Sequence, residues 1–268
     1  MAGVLAGPSA LAAAGPTDTG PTIVSMTFDD AWAEQNVAAD ILHKHGLNGT
    51  FYVISGVVGT PGHFALGDLR RLVSQGNEIG GHTVSHPHLS ELPADEARRQ
   101  ICADRTALVG WGLRVTSFAY PYGSYNRSIE AIAADCGYNS ARIASGIRRP
   151  WTSPGQCERC PLAETVPPAD PYAIRVPPAI DPSWTLAEMQ RAVTNAEDHG
   201  GGWVVLAFHH VRDDHSPLSV SPAVLDGFTA WLAQRKASGN VRVATVDHMI
   251  RGVVRPSATR RLYRPMAS

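Results

Sequence analysis

Two adjacent carboxylates, Asp29 and Asp30, close the run Thr27-Phe28-Asp29-Asp30, and two histidines lie four residues apart in His82-Thr83-Val84-Ser85-His86. Neighbouring carboxylates repel each other unless a proton or a cation resolves the charge. Histidines at i and i+4 share one face of a helical turn, so both imidazoles can reach one ion. A carboxylate and two imidazoles leave coordination positions open for water and substrate, as a catalytic divalent metal needs. Two more histidines, His209 and His210, follow the apolar run Trp203–Phe208. A strand alternates its faces, so only one of the pair can belong to a shared site. Tyr120-Pro121-Tyr122-Gly123 contributes a turn with aromatic flanks. Each motif alone has a plain structural reading, as a helix cap, a buried histidine on a carbonyl, or a turn.

Their placement distinguishes them. Thr22–Thr27, Thr50–Ile54, Glu78–Gly81, Val115–Ala119, Trp203–Phe208 and Val241–Val246 read as strands, being short, apolar or β-branched runs bounded by turn residues. Between them lie helical patterns. One runs from Gln35 to His45 with Val37, Ile41 and Leu42 on one face and Gly46 as its stop. Another carries Leu66, Leu69, Leu72 and Val73 and ends at Gly76. Pro93 at a first helical position opens the helix bearing Ile101 and Leu108. Asn126, Thr185 with Glu188, and Ser221-Pro222 start three more. Repeated β-then-α order predicts parallel strands covered by helices, with chemistry at their carboxyl ends. All four motifs follow predicted strands. The Pro-rich stretch from Arg148 to Pro182 breaks the rhythm and is expected to shape one wall of the site.

The chain has 268 residues, enough for one large α/β domain, with 44% hydrophobic and 18% charged residues. Its 23 Lys and Arg nearly balance 24 Asp and Glu, for a net charge of -1. No field of one sign would draw in nucleic acid, and a neutral substrate fits better. No run of 18 apolar residues is present to span a membrane. Residues 1–20 form a small, apolar, signal-like or flexible leader, with Ala10-Leu11-Ala12 as a cleavage site; 21–252 is the expected catalytic domain, and 253–268 a basic, solvated tail. Four cysteines permit three pairings, and two structural disulfides, Cys102–Cys136 and Cys157–Cys160, are expected over a redox or zinc role for the CxxC spacing. Disulfides and leader together point to a secreted or cell-wall-associated protein.

Together the motifs resemble the polysaccharide deacetylase family with the NodB homology domain, carbohydrate esterase family 4, over about Thr22 to Ile250. Thr27-Phe28-Asp29-Asp30 matches that family's first motif, and His82 to His86 its H-[ST]-x-x-H. The resemblance implies an α/β fold, a distorted (β/α) barrel with fewer than eight regular strands. It implies Asp29 as general base, Asp30, His82 and His86 as ligands of a divalent metal (Zn²⁺ first, Co²⁺ or Ni²⁺ as alternatives), His209 as general acid, and the Tyr122 N–H on the oxyanion. The implied reaction is N-deacetylation of an N-acetylglucosamine-containing polysaccharide such as chitin-type oligosaccharide or peptidoglycan, by a monomer. O-deacetylation of acetylated xylan and non-catalytic carbohydrate binding are the alternatives. The chain departs from the family in two places. Ala119 stands where the third motif often has an Arg that orients the base, leaving Arg142 or Arg175 to substitute. The fourth motif's Asp-Trp has no clear match, leaving Asp247 as a candidate orienter of His209.

Overall fold

A computed structural model describes residues 20–151 and 157–256. The leader up to residue 19, with its cleavage site, and the tail from residue 257 lie outside them. The first half of the chain runs β1 (Thr22–Phe28), α1 (Gln35–Lys44), β2 (Thr50–Val53), α2 (Leu66–Ser74), β3 (Glu78–Gly81), α3 (Ala94–Gly110), β4 (Ser117–Ala119) and α4 (Arg127–Asp135). It continues as β5 (Ser140–Gly146), β6 (Ile174–Val176), α5 (Leu186–Asp198), β7 (Gly202–Phe208), β8 (His210–Val211), β9 (Ser219–Val220), α6 (Pro222–Ala237), β10 (Val241–Val243) and α7 (Val246–Ile250). No helix among the described residues is long and apolar enough to cross a membrane.

The caps expected from sequence are in place: the Asn126, Thr185 and Ser221 side chains accept from the Ile129, Glu188 and Ala223 amides. Four expectations need correction. Pro93 is the residue before α3 rather than its first helical one. The last strand stops at Val243, because Thr245 caps α7. Val37 and Val73 are exposed, and the inner face of α1 is Gln35, Ala38, Ala39 and Leu42. β5 and β6 had no sequence counterpart, since Ser140–Gly146 is a run of small residues interrupted by Arg142.

β1 lies at the centre of one parallel sheet. Along its full length it pairs with β7, from Thr22↔Gly202 to Phe28↔Phe208. Its other edge is shared, β10 pairing with Thr22–Val24 and β2 with Thr27 and Phe28. The sheet then runs through β3, β4, β5 and β6. Eight strands join it, where fewer regular ones were expected, although β4, β6 and β10 have three residues each. The gap between β6 and β7 is bridged by the Pro-rich stretch. Glu164 exchanges both backbone hydrogen bonds with Trp203 at 2.8 and 2.9 Å, and the Ile180 amide donates to Ala207 O at 2.8 Å. The result is a curled sheet, a distorted (β/α) barrel.

Phe28 and Phe208, the last residues of β1 and β7, and Phe51 of β2 are fully buried, and Phe28 stacks on Phe51 and Phe208 with ring centroids 4.7 and 5.2 Å apart. Each contributes roughly 1.5–3 kcal/mol of burial directly beneath Asp29 and His209.

Both disulfides are formed, Cys102–Cys136 and Cys157–Cys160, and no cysteine is free. The first ties α3 to the end of α4 across a separation of 34 residues. Closing a loop of that size stabilises the fold by at most about 4 kcal/mol. Replacing Cys102 and Cys136 by Ser is expected to lower unfolding free energy by about 2–4 kcal/mol in a urea titration. Wild-type chain denatured without reductant should present no thiol to a thiol reagent.

Candidate active site

The motifs converge where β1, β3, β4 and β7 end. The Asp29 amide donates to Phe208 O at 2.9 Å, so the first motif is locked to the strand preceding His209. Gln35, fully buried at the start of α1, donates through Nε2 to Asp29 O at 2.6 Å and to His209 O at 2.7 Å. The loops beyond the strands adopt left-handed backbone at non-glycine positions, with φ of 77° at Asp30, 69° at Thr83, 59° at His86 and 57° at Tyr122. Such conformations cost about 1–2 kcal/mol each and cluster where side chains must be aimed. His82 to His86 is therefore a loop and not the helical turn expected from i,i+4 spacing.

The Asp30, His82 and His86 ligand atoms all lie within 4.8 Å of one another. Asp30 Oδ1 is 3.5 Å from His82 Nε2 and 3.3 Å from His86 Nε2. It is buried and has no hydrogen-bond partner among the described residues. His82 Nδ1 lies 2.7 Å from Ala119 O. A carbonyl only accepts, so Nδ1 carries a proton and the Nε2 lone pair faces the carboxylate. Two imidazole nitrogens around one carboxylate oxygen form a set that a proton or a metal ion can occupy. Tetrahedral zinc with bonds of about 2.0–2.1 Å sets its ligand atoms about 3.3–3.4 Å apart, which the observed separations match. The residues present fit a divalent metal.

Charges agree with that reading. Burial would raise the Asp30 carboxyl, but the closeness of His82, His209 and His86 holds it far below the usual range. Burial would likewise discourage a charge on His82, yet Asp30 and Asp29 raise its affinity for a proton. The position that attracts a proton to His82 is the position a cation would take. Burial and the neighbouring His82 lower His86 to about 4, which keeps it neutral and able to ligate at neutral pH. Trp32 Nε1 donates to Asp30 Oδ2 at 3.2 Å, leaving Oδ1 turned toward the histidines.

Asp29 points the other way. Its Oδ2 accepts from Arg142 Nη2 and lies 3.8 Å from His209 Nε2. Both Asp29 and Arg142 are buried, and the guanidinium lies over the Tyr52 ring, 5.2 Å from its centroid. Burial would raise the Asp29 carboxyl, but Arg142, His82 and His209 lower it, so Asp29 is ionised at neutral pH. Arg142 is thus the substitute for the missing arginine. Its Cα is the in-register partner of Ala119, one strand over. Arg175 instead pairs with Glu164. Asp247 is no orienter of His209, being held by Arg114 and Thr116. In the Pro-rich stretch, Asp181 pairs with Arg149 and Trp184 packs on Trp151. His209 Nδ1 is buried without a hydrogen-bond partner among the described residues, and burial lowers its pKa. His210 turns away, with Nδ1 2.6 Å from Glu34.

A cavity of about 520 Å³ opens over these groups. Asp29, Asp30, His82, His86, Arg142 and His209 line its floor, and Tyr122 and Trp32 are among its other walls. Val176 and Ala179 of the Pro-rich stretch also reach it, as expected of that segment. The Tyr122 ring is 59% exposed and stacks on His88 at 4.0 Å, a flat surface open to a ligand. Gly123 is required beside it, with φ of 66° and Ala144 where a Cβ would stand. Sequence reasoning missed Gln35 and, on α3, Gln100 and Asp104. Their signal was a polar residue on a helix face otherwise filled by Ala and Leu or by Ala97, Ile101 and Leu108.

The Asp29–Arg142 pair yields a prediction with a definite sign. Because the folded pKa of Asp29 lies below its ordinary 3.8, the pair stabilises fully above that value and its contribution fades as pH falls through the lowered one. Arg142→Ala leaves a buried charge alone and should cost about 3–5 kcal/mol in chemical unfolding at pH 7. With burial unopposed, its acid-unfolding midpoint should move to higher pH. Adding Ala119→Arg should recover part of both losses, since the two positions share a level of the sheet.

The sequence profile of polysaccharide deacetylases matches residues 17–141. The chain is 32% identical over 117 residues to peptidoglycan-N-acetylmuramic acid deacetylase PdaC of Bacillus subtilis, a match covering 42% of this chain and 24% of that protein. It is 29% identical over 141 residues to a chitooligosaccharide deacetylase of Sinorhizobium fredii, covering 51% and 63%. The chain thus spans less than two thirds of the length of these curated relatives. In three dimensions it is similar to a family 4 carbohydrate esterase from Streptomyces lividans solved with acetate, with TM-score 0.55, 17% identity, and 89% of this chain and 99% of that one covered. That likeness shows the fold, and the profile assigns residues 17–141 to the polysaccharide deacetylase family.

Proposed function

We propose that the protein is a divalent-metal-dependent hydrolase that removes N-acetyl groups from N-acetylglucosamine-containing polysaccharide, of the chitin or peptidoglycan type. One observation carries this reading: an unsatisfied Asp30–His82–His86 cluster and an ionised, Arg142-held Asp29 face one cavity with His209. The names of the relatives, deacetylases of peptidoglycan and chitooligosaccharide, support the substrate class. Two disulfides support an exported protein.

Asp30, His82 and His86 would hold the metal, zinc by donor set and spacing. Bound there, it would polarise the acetyl carbonyl and acidify water. Asp29 then takes the proton of the attacking water, its ionised state secured by Arg142. The Tyr122 N–H, on a left-handed turn braced by Gly123, stabilises the developing oxyanion. His209, 3.8 Å from Asp29 Oδ2, would receive the proton that Asp29 takes from water and pass it to the departing amine, because an amide nitrogen leaves poorly as an anion. The exposed face of Tyr122 offers a stacking surface to a sugar ring.

A second reading is O-deacetylation of acetylated xylan. The partnerless Nδ1 of His209 favours it, since an ester leaves with less help from an acid. Acetate release across chito-oligosaccharide, peptidoglycan and acetylxylan, with and without chelator, separates the two. The expected outcome is chelator-sensitive release from the N-acetylated substrates. Asp29→Asn should lower kcat by at least about 100-fold while retaining metal, and His82→Ala should lose metal. Release from acetylxylan alone selects the second reading, and sugar binding with no acetate from any substrate would make the protein a binding module.

A further inference from the structure

We infer that Asp104, assisted by Gln100 one turn earlier on α3, is a positioning residue that fixes the loop carrying His82 and His86 and thereby sets the spacing of the metal site. The inference rests on the metal-site reading above and concerns residues that touch neither substrate nor ligand atoms.

Asp104 is fully buried and spends both carboxylate oxygens on the site's backbone. Oδ1 accepts from the Ser55 amide at 3.0 Å, and Oδ2 from the His82 amide at 3.1 Å and from Tyr138 Oη at 3.2 Å. Ser55 and His82 stand just past β2 and β3, where the ladder between these strands is about to end. Each amide is shared with that ladder, His82 donating also to Val53 O at 3.0 Å and Ser55 to Thr83 O at 3.2 Å. Asp104 therefore closes the last rungs before the loop departs. Gln100 grips the other end. Its Oε1 accepts from the Ser85 amide at 3.1 Å, and its Nε2 donates to Ser85 Oγ at 2.9 Å. Residues at i and i+4 lie one above the other on a helix, so a single face of α3 holds the loop at His82 and at Ser85.

The fit leaves no slack. A Cβ on Gly81, the residue before His82, would lie 1.9 Å from Tyr138 Oη and 2.6 Å from Asp104 Oδ2. The chemistry demands a carboxylate. Two amide donors on two different oxygens need two acceptors, and an asparagine would turn its own N–H₂ toward one of them. No lysine or arginine pairs with Asp104 among the described residues. Beside a bound divalent cation its charge is favourable, as with other outer partners of metal ligands.

The test titrates Zn²⁺ into metal-stripped full-length chain and into variants, by calorimetry, with Co²⁺ absorption as a second readout and thermal unfolding of each stripped protein alongside. Asp104→Asn should weaken Zn²⁺ binding by about 10–100-fold and alter the Co²⁺ spectrum. Gln100→Ala should weaken it severalfold, and Asp104→Glu should recover part of the Asn loss. Leu108→Ala, in the apolar face of the same helix, supplies a destabilised control whose Zn²⁺ affinity should match wild type. Should Asp104→Asn not fold, Gln100→Ala and Asp104→Glu decide the matter. Wild-type affinity in the Asp104 and Gln100 variants, with only the unfolding temperature lowered, would overturn the inference. A wild-type chain that takes up no zinc would instead remove the metal site, and the inference with it.

Discussion

Two carboxylates on consecutive residues at the end of a buried strand repel each other, and much of the structure around them answers that repulsion. The left-handed backbone at Asp30 turns the two side chains apart. Asp29 is then neutralised within the protein, by a buried guanidinium from β5. Asp30 is left facing two imidazole nitrogens, with no hydrogen-bond partner on Oδ1 among the described residues. One charge is therefore met by a guanidinium and the other by two imidazoles. Adjacent carboxylates thus have different surroundings, a division that sequence alone cannot show for an Asp-Asp pair.

The remainder of the fold follows from holding that division rigid. β1 takes its neighbours on both edges, and the Asp29 amide reaches back to β7 at Phe208. Gln35 fastens Asp29 to His209 by donating to both backbone carbonyls, so the two residues share one anchor. The irregular Pro-rich stretch on either side of β6 does in hydrogen bonds what a further regular strand would do. Glu164 lies against Trp203, and its carboxylate, paired with Arg175, pins the start of β6 to the same place. This closure brings Val176 and Ala179 to the cavity while leaving room for a substrate.

What could be read in the sequence was what local chemistry dictates. Strands such as Gly202–Phe208 are continuous apolar runs, and caps such as Asn126 carry their own signature. The clustering of Asp30, His82 and His86 could be anticipated because their types and spacing suit one shared ion, and the structure brings the three together. The parts that escaped depend on tertiary partners. β5 has no apolar run, because its inward positions are Arg142 and Ala144, which serve the cavity. Gln35 and Asp104 look like ordinary surface residues on helices until the backbone groups they satisfy are known. The exposure of Val37 is the converse case, an apolar residue left outside on a helix whose inner face includes Gln35.

The arginine shows how far one motif can be relocated without loss of geometry. In a parallel sheet, in-register residues on neighbouring strands lie about 4.8 Å apart and face the same side. Ala119 and Arg142 are such a pair. Moving the guanidinium from β4 to β5 therefore keeps its depth in the barrel and changes only its approach to Asp29. A long side chain spans that lateral step, and the Tyr52 ring beneath it supplies a cation-binding face. The vacated position is not idle. With no side chain beyond Cβ at Ala119, the strand there offers its carbonyl to His82 Nδ1 at 2.7 Å while Arg142 O receives the Tyr120 amide. The register that sets Arg142 beside Ala119 also places the Ala119 carbonyl on His82 Nδ1, so the Asp29–Arg142 pair and the Asp30–His82–His86 cluster share one rung of the sheet.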